Sequence, residues 1–189
     1  MNVDALVART RERLGARQRR IVPPGPLVPA AVLVPIVDRG EPYLVFAKRT
    51  ERVLSHQGQI AFPGGRVAPS DPGLLETALR EAEEEIGLPP AAVEPLGPLD
   101  DTETWASQYV ITPWVGLVRA PVAWRPDGEE IEKVVEVPLA ALLDRTNFRV
   151  ERRERGGAMR DIYFWDWDGE TIWGATARIV KDYLELVAV

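Results

Sequence analysis

Apolar residues recur at helical spacing over residues 3–14, and the Pro-rich stretch 23–29 cannot continue a helix, so a short amphipathic helix is expected first. Residues 30–37 and 43–47 are continuous apolar runs rich in β-branched side chains. Asp38-Arg39-Gly40-Glu41-Pro42 joins them with the composition of a hairpin turn. A shorter strand over 59–62 runs into Pro63-Gly64-Gly65, where a tight loop begins. Asp71-Pro72 reads as a helix start, with Asp71 as N-cap and Pro72 at the first helical position; Gly87 with Pro89-Pro90 reads as its stop. Further on, 109–118 and 131–137 read as buried strands and 138–143 as a short helix. Residues 148–152 and 162–167 read as paired strands around Gly156-Gly157, and 172–187 as a closing helix. Strands outnumber helices, yet helices fall between them, which predicts an α/β (α+β) architecture, a mixed β-sheet sandwiched between α-helices. Residues 1–29 are expected to be an N-terminal helix and linker, and 30–189 the main domain.

Composition narrows the function classes. A chain of 189 residues that is 46% hydrophobic can bury one substantial core. Pro or a charge interrupts every apolar run before the roughly 18 residues a membrane span needs, so no membrane partner is expected. The Arg-rich first twenty residues carry Asp4 and Glu12 and lack an apolar segment with a cleavage site, so a cytoplasmic location is expected. Cysteine is absent, which excludes disulfides, thiolate metal sites and cysteine nucleophiles. A formal charge of −6 argues against nucleic acid as partner, while an acidic protein can hold anionic phosphates through bound cations.

The helix ending at Gly87 carries the candidate chemistry. At 3.6 residues per turn, Glu81, Glu84 and Glu85 fall within an arc of about 100°, at the edge of an apolar stripe of Leu75, Ala78, Leu79, Ala82 and Ile86. Like charges at i,i+3 and i,i+4 destabilise a helix by roughly 0.2–0.5 kcal/mol per pair, a conflict that a bound divalent cation removes. Oxygen-only ligands suit Mg²⁺ or Mn²⁺. Glu76 and Glu83, four and three residues from Arg80, are expected to pair with it on the solvent side.

Gly65 and then Arg80-Glu81-Ala82-Glu83-Glu84-Glu85-Ile86-Gly87-Leu88 resemble the Nudix box, G-x5-E-x7-R-E-U-x-E-E-x-G-U with U apolar. The back half matches at every fixed position. The front half is one residue longer than the pattern, and its acidic slot falls on Pro72, with Asp71 and Glu76 on either side. A second block, Arg49-Thr50 through Gly58 to Phe62-Pro63-Gly64-Gly65, resembles the coenzyme A pyrophosphatase branch of that superfamily. So do Thr77-Ala78-Leu79-Arg80-Glu81 and Ile172-Trp173-Gly174-Ala175-Thr176-Ala177. Leu54 departs from that branch, which usually carries Arg at the position.

The resemblance implies a Nudix fold and Mg²⁺-dependent hydrolysis of a diphosphate bond in coenzyme A or its derivatives, giving a phosphopantetheine-type product and adenosine 3′,5′-bisphosphate. It implies that Glu81, Glu84, Glu85 and the Gly65 carbonyl hold the metal, with Glu81 serving as ligand or as base and Arg80 orienting the glutamates. A late acidic residue is also implied, and Glu130, with Glu129 behind it, stands in the turn after Pro126-Asp127-Gly128. Arg49 and Arg66 are candidates for phosphate contact because a guanidinium grips two oxygens at once. Gly64 and His56, the only histidine, are candidates for substrate contact. Alternative readings are a sister enzyme acting on ADP-ribose or another nucleoside diphosphate derivative, and a nucleotide-sensing domain without turnover. Tyr163, Trp165 and Trp167 share one strand face; exposed, it would be a homodimer contact.

Overall fold

The two long apolar runs are buried on both faces, which explains why they show no polar alternation. The computed structural model describes residues 2–51, 57–104, 108–119, 122–155 and 157–188; His56, Leu54 and Trp105 lie outside them. In β1 (Val28–Asp38), Val32, Val34 and Ile36 face one core cluster while Ala31, Leu33 and Val37 face another. β2 (Pro42–Arg49) divides likewise, Leu44 and Phe46 against Val45 and Ala47.

The main sheet is mixed. β1 pairs antiparallel with β2 and with β4 (Gly64–Arg66), and parallel with β7 (Tyr109–Val118). Pro35, which has no N–H to donate, falls between the stretch paired with β4 (Ala30–Val32) and that paired with β2 (Ile36–Asp38). The order runs β3 (Ile60–Ala61), β2, β1, β7, β5 (Val93–Pro98), with β6 (Thr102–Glu103) on β7 and β8 (Ile131–Pro138) on β2. A second sheet of three strands, β11-β10-β9, comprises β9 (Phe148–Arg155), β10 (Ala158–Trp167) and β11 (Glu170–Trp173).

Helix α2 (Leu74–Ile86) covers one face of the main sheet with Ala78, Ala82 and Ile86 fully buried. The other face packs against α1 (Val3–Gly15), α4 (Gly174–Val187), Trp165 and Ile172; α3 (Leu139–Leu143) closes its edge. The predicted mixed sheet between helices is therefore the fold. Helix α1 shares this core through Val3, Leu6 and Val7, and Thr10 Oγ1 lies 3.1 Å from the Tyr183 hydroxyl on α4. The segment after it is strapped down by Arg19 on Asp101 at 2.5 Å and by Arg17 on Asp100.

Four expectations change. Strands β4, β5 and β6 were not visible, because they are short or broken by Pro95, Gly97 and Pro98, and their partners hold them extended. Residues 170–173, read in part as the start of the last helix, are strand, because Ile172 pairs with Trp165 and Trp173 with Phe164. Helix α2 starts at Leu74 with Gly73 as its cap, so Asp71 and Pro72 precede it. The Tyr163–Trp165–Trp167 face turns inward onto the core, with Trp165 3% exposed and the indole N–H bonded to the Leu142 carbonyl, so it is not an open homodimer contact.

Candidate active site

The site is assembled where α2 crosses the loop into β4 and the start of β8. Gly64 lies so close to β1 that a Cβ would meet the Ala31 carbonyl at 2.4 Å, and its φ of +156° is one that side chains rarely adopt. That approach aims the Gly64 N–H at Glu85 Oε2, 3.0 Å away. Next to it, a Cβ on Gly65 would lie 2.5 Å from the Glu81 carboxyl carbon. The two glycines thus bring the loop backbone against both carboxylates.

Glu130 arrives by a different route. Gly87 terminates α2 in the left-handed conformation (φ 68°), and the following chain folds back so that Arg125 N–H reaches the Ile86 carbonyl and Asp127 N–H the Glu85 carbonyl. The Asp127 carboxylate then accepts from the N–H groups of Glu129, Glu130 and Ile131. The Glu129 and Glu130 carbonyls accept from the Thr50 hydroxyl and N–H. Sequence reasoning read Asp127 only as part of a turn; its backbone bonds place Glu130 beside Glu85.

Electrostatics distinguish the glutamates. Glu85 has a side chain 11% exposed, and burial pushes its carboxyl up to about 8; the Gly64 N–H counters this, Glu81 adds to it, Arg49 counters it and Glu130 adds again. Burial also raises Glu81, against the pull of Arg80 at 2.8 Å. Glu84 is 61% exposed and is held by Arg80 at 3.2 Å. Among the described residues, no three His, Cys, Asp or Glu side chains are gathered closely enough to hold an ion as they stand; guanidinium groups occupy the carboxylates instead.

Arg80 is fixed by Asp71, which sequence reasoning placed as a helix cap. Its Nε and one terminal nitrogen donate to the two Asp71 oxygens at 2.9 and 3.0 Å, and that nitrogen also reaches the Arg66 carbonyl at 3.2 Å. Asp71 further accepts from Ala68 N–H and the Thr77 hydroxyl, and the Arg80 bond above all holds its carboxyl well below the usual carboxylate range. Of the two acidic residues flanking Pro72, Asp71 is the one that accepts from Arg80. Glu76 and Glu83 are not the partners of Arg80, because Asp71, Glu81 and Glu84 take its donors.

The two remaining arginines differ. Arg49, at the end of β2, approaches Glu85 at 4.0 Å and Glu130 at 3.0 Å. Arg66 is exposed and is held by Tyr109, a residue sequence reasoning missed, through a 2.6 Å bond to the hydroxyl and a guanidinium 5.3 Å from the ring centroid. Among the described residues Arg66 makes no ion pair.

The profile of the NUDIX domain family matches residues 26–155. The chain belongs to the Nudix family. It is 39% identical over 160 residues to a protein of Yersinia enterocolitica described as uncharacterized Nudix hydrolase NudL, covering 85% of this chain and 82% of that one. The NudL of Yersinia pestis strain Pestoides F is 38% identical, covering 85% and 80%. Among solved structures, a MutT/nudix family protein of Enterococcus faecalis shares the fold at a TM-score of 0.54 and 14% identity, covering 86% of this chain and 68% of that one. This Nudix chain is a pyrophosphohydrolase, and its family generally uses divalent metals such as Mg²⁺.

The residues fit such a cation. The donors are all oxygen, Glu85 is a buried carboxylate with its nearest guanidinium nitrogen 4.0 Å away, and the missing Cβ of Gly65 lets the Glu81 carboxylate lie against the loop backbone. Glu84 and Glu130, 61% and 60% exposed, would reach a shared ion by rotating off Arg80 and Arg49.

Proposed function

We propose that this Nudix hydrolase splits the diphosphate of coenzyme A or its derivatives with Mg²⁺ or Mn²⁺, releasing a phosphopantetheine-type product and adenosine 3′,5′-bisphosphate. The observation that carries the chemistry is the meeting of Glu81 and Glu85 from α2 with the Gly64-Gly65 backbone and with Glu130 from a separate loop. In this reading Glu81, Glu84, Glu85, Glu130 and the Gly65 carbonyl would hold the cations, whose chemistry when bound would be positive charge for the diphosphate oxygens and acidification of a water. Arg80, anchored by Asp71, keeps Glu81 and Glu84 on the site edge. A carboxylate of the set accepts the water proton as the P–O bond breaks and each phosphate leaves with one of the two oxygens. Arg49 and Arg66 supply donors to the phosphates.

Support for coenzyme A comes from the resemblance blocks around 49–65 and 172–177, of which Ile60 and Ile172 share one core cluster. β11 packs against β3, and Glu170 at its start takes Lys48 and Lys133 at 2.9 and 2.7 Å. The test is to incubate the protein with Mg²⁺ and coenzyme A, ADP-ribose, NADH or diadenosine polyphosphates and identify products by mass. Adenosine 3′,5′-bisphosphate from coenzyme A, formed fastest among these, is expected. Faster cleavage of ADP-ribose or a dinucleotide would overturn the coenzyme A assignment.

A further inference from the structure

Arg80 and Arg49 both neutralise active-site glutamates, yet they are held in opposite ways. Arg80 is clamped by Asp71, a carboxylate that lies off the glutamate edge and is itself held by Ala68 and Thr77. Among the described residues the guanidinium of Arg49 has no such anchor. Its NH2 donates to Glu130, its NH1 is 4.0 Å from Glu85, beyond hydrogen-bond reach, and its Nε is buried without a partner among the described residues. The backbone beneath it is firm: Arg49 N–H donates to the Gln59 carbonyl, and a register shift sets Lys48 opposite Lys133 but Arg49 opposite Ile131. Such a bulge re-aims a side chain, and here the side chain is laid across Glu85 and Glu130.

We propose that Arg49 is a built-in competitor of divalent cations for Glu85 and Glu130, and that cation binding hands its guanidinium to the phosphate oxygens of the substrate. The proposal rests on the reading that these two carboxylates face the cations. A guanidinium and a divalent ion cannot both be centred on one pair of carboxylates, since their like charges repel. Once displaced, a planar fork on a firm backbone, with an unused Nε, has donors to spare for a diphosphate. Arg49 thus couples the two binding events: it weakens cation uptake without substrate and favours it when phosphate oxygens receive the guanidinium.

The test is calorimetric titration of Mn²⁺ into the full-length protein without nucleotide. Arg49→Met, which keeps an unbranched stem and drops the charge, should bind Mn²⁺ roughly three- to tenfold more tightly than the parent, the range for removing one partly exposed competing charge. Arg49→Lys should stay within about twofold of the parent, because the charge remains. In the unmodified protein, the Arg49 Nε–H resonance should shift as Mg²⁺ is added. Equal or weaker Mn²⁺ binding by Arg49→Met, or a resonance that does not move, overturns the proposal. Glu85→Gln separates the two readings: if it abolishes Mn²⁺ uptake while Arg49→Met leaves it unchanged, the cation site stands and the competitor role falls. Mn²⁺ uptake indifferent to Glu85→Gln removes both.

Discussion

Replacing Glu85 by Gln should stabilise the protein in the absence of divalent ions while abolishing its activity. Burial pushes the Glu85 carboxyl from 4.5 to about 8, so the folded protein retains a proton that the unfolded chain has released. The sign follows: a folded pKa raised above the unfolded one makes stability fall as pH rises from about 4.5 to about 8, with no penalty below that window. Each unit within it is worth at most about 1.4 kcal/mol, so retaining that proton costs up to roughly 3 kcal/mol at pH 7, less whatever local relaxation returns. Gln has the same shape and keeps an oxygen for the Gly64 N–H at 3.0 Å, so the substitution removes the charge with little else. In a chain of this size, 1 kcal/mol moves Tm by about 2–4 °C. Thermal melts in EDTA should therefore show the parent losing several degrees between pH 5 and 8 and Glu85→Gln losing far less, with the variant the more stable at pH 8. Saturating Mg²⁺ should restore the parent and leave the variant unmoved, and kcat of the variant should fall on the order of 10²–10⁴-fold. A parent melt that is flat with pH, or a variant less stable than the parent at pH 8 in EDTA, would refute the buried-charge reasoning. Retained kcat would refute the site assignment.

Gly65→Ala, whose Cβ would lie 2.5 Å from the Glu81 carboxyl carbon, should cut kcat on the order of 10²-fold with little change in melting, since only the end of one side chain is pushed aside. Asp71→Asn should lower kcat by loosening Arg80. Because Arg80 holds the Asp71 carboxyl below its usual range, the stability it contributes is present above about pH 4 and lost below, so parent melts should drop more steeply than variant melts between pH 4 and 2. Gly87→Ala forces a side chain into φ 68° and sets its Cβ 2.8 Å from the Arg125 Cβ; denaturant unfolding should show a loss of about 1–2 kcal/mol or more.

Half of this site could be read along the chain, because a helix writes its faces into local spacing. The arc shared by Glu81, Glu84 and Glu85, the buried stripe of Ala78, Ala82 and Ile86 and the stop at Gly87 all follow from 3.6 residues per turn. The two long strands were equally legible from unbroken apolar runs, whereas β4, β5 and β6 exist only through their partners. The rest of the site depends on contacts across the sheet. Nothing near Asp71 signals that it faces Arg80 nine residues on and not the helix N–H groups. The link between Arg66 and Tyr109 spans 43 positions and that between Arg49 and Glu130 spans 81, each set by which strands lie side by side.

That distinction has a chemical consequence. A motif names which charged residues are present, but the anchor behind each decides whether it is a fixed strut or a movable charge. Arg80 has its anchor three residues before the start of α2, in a carboxylate also held by Ala68 and Thr77, so that anchor does not depend on what the glutamates bind. Arg49 rests on the same two carboxylates that a cation would use, so whatever occupies them moves it. Two arginines beside one acidic cluster thus differ in function because of a third residue that touches only one of them.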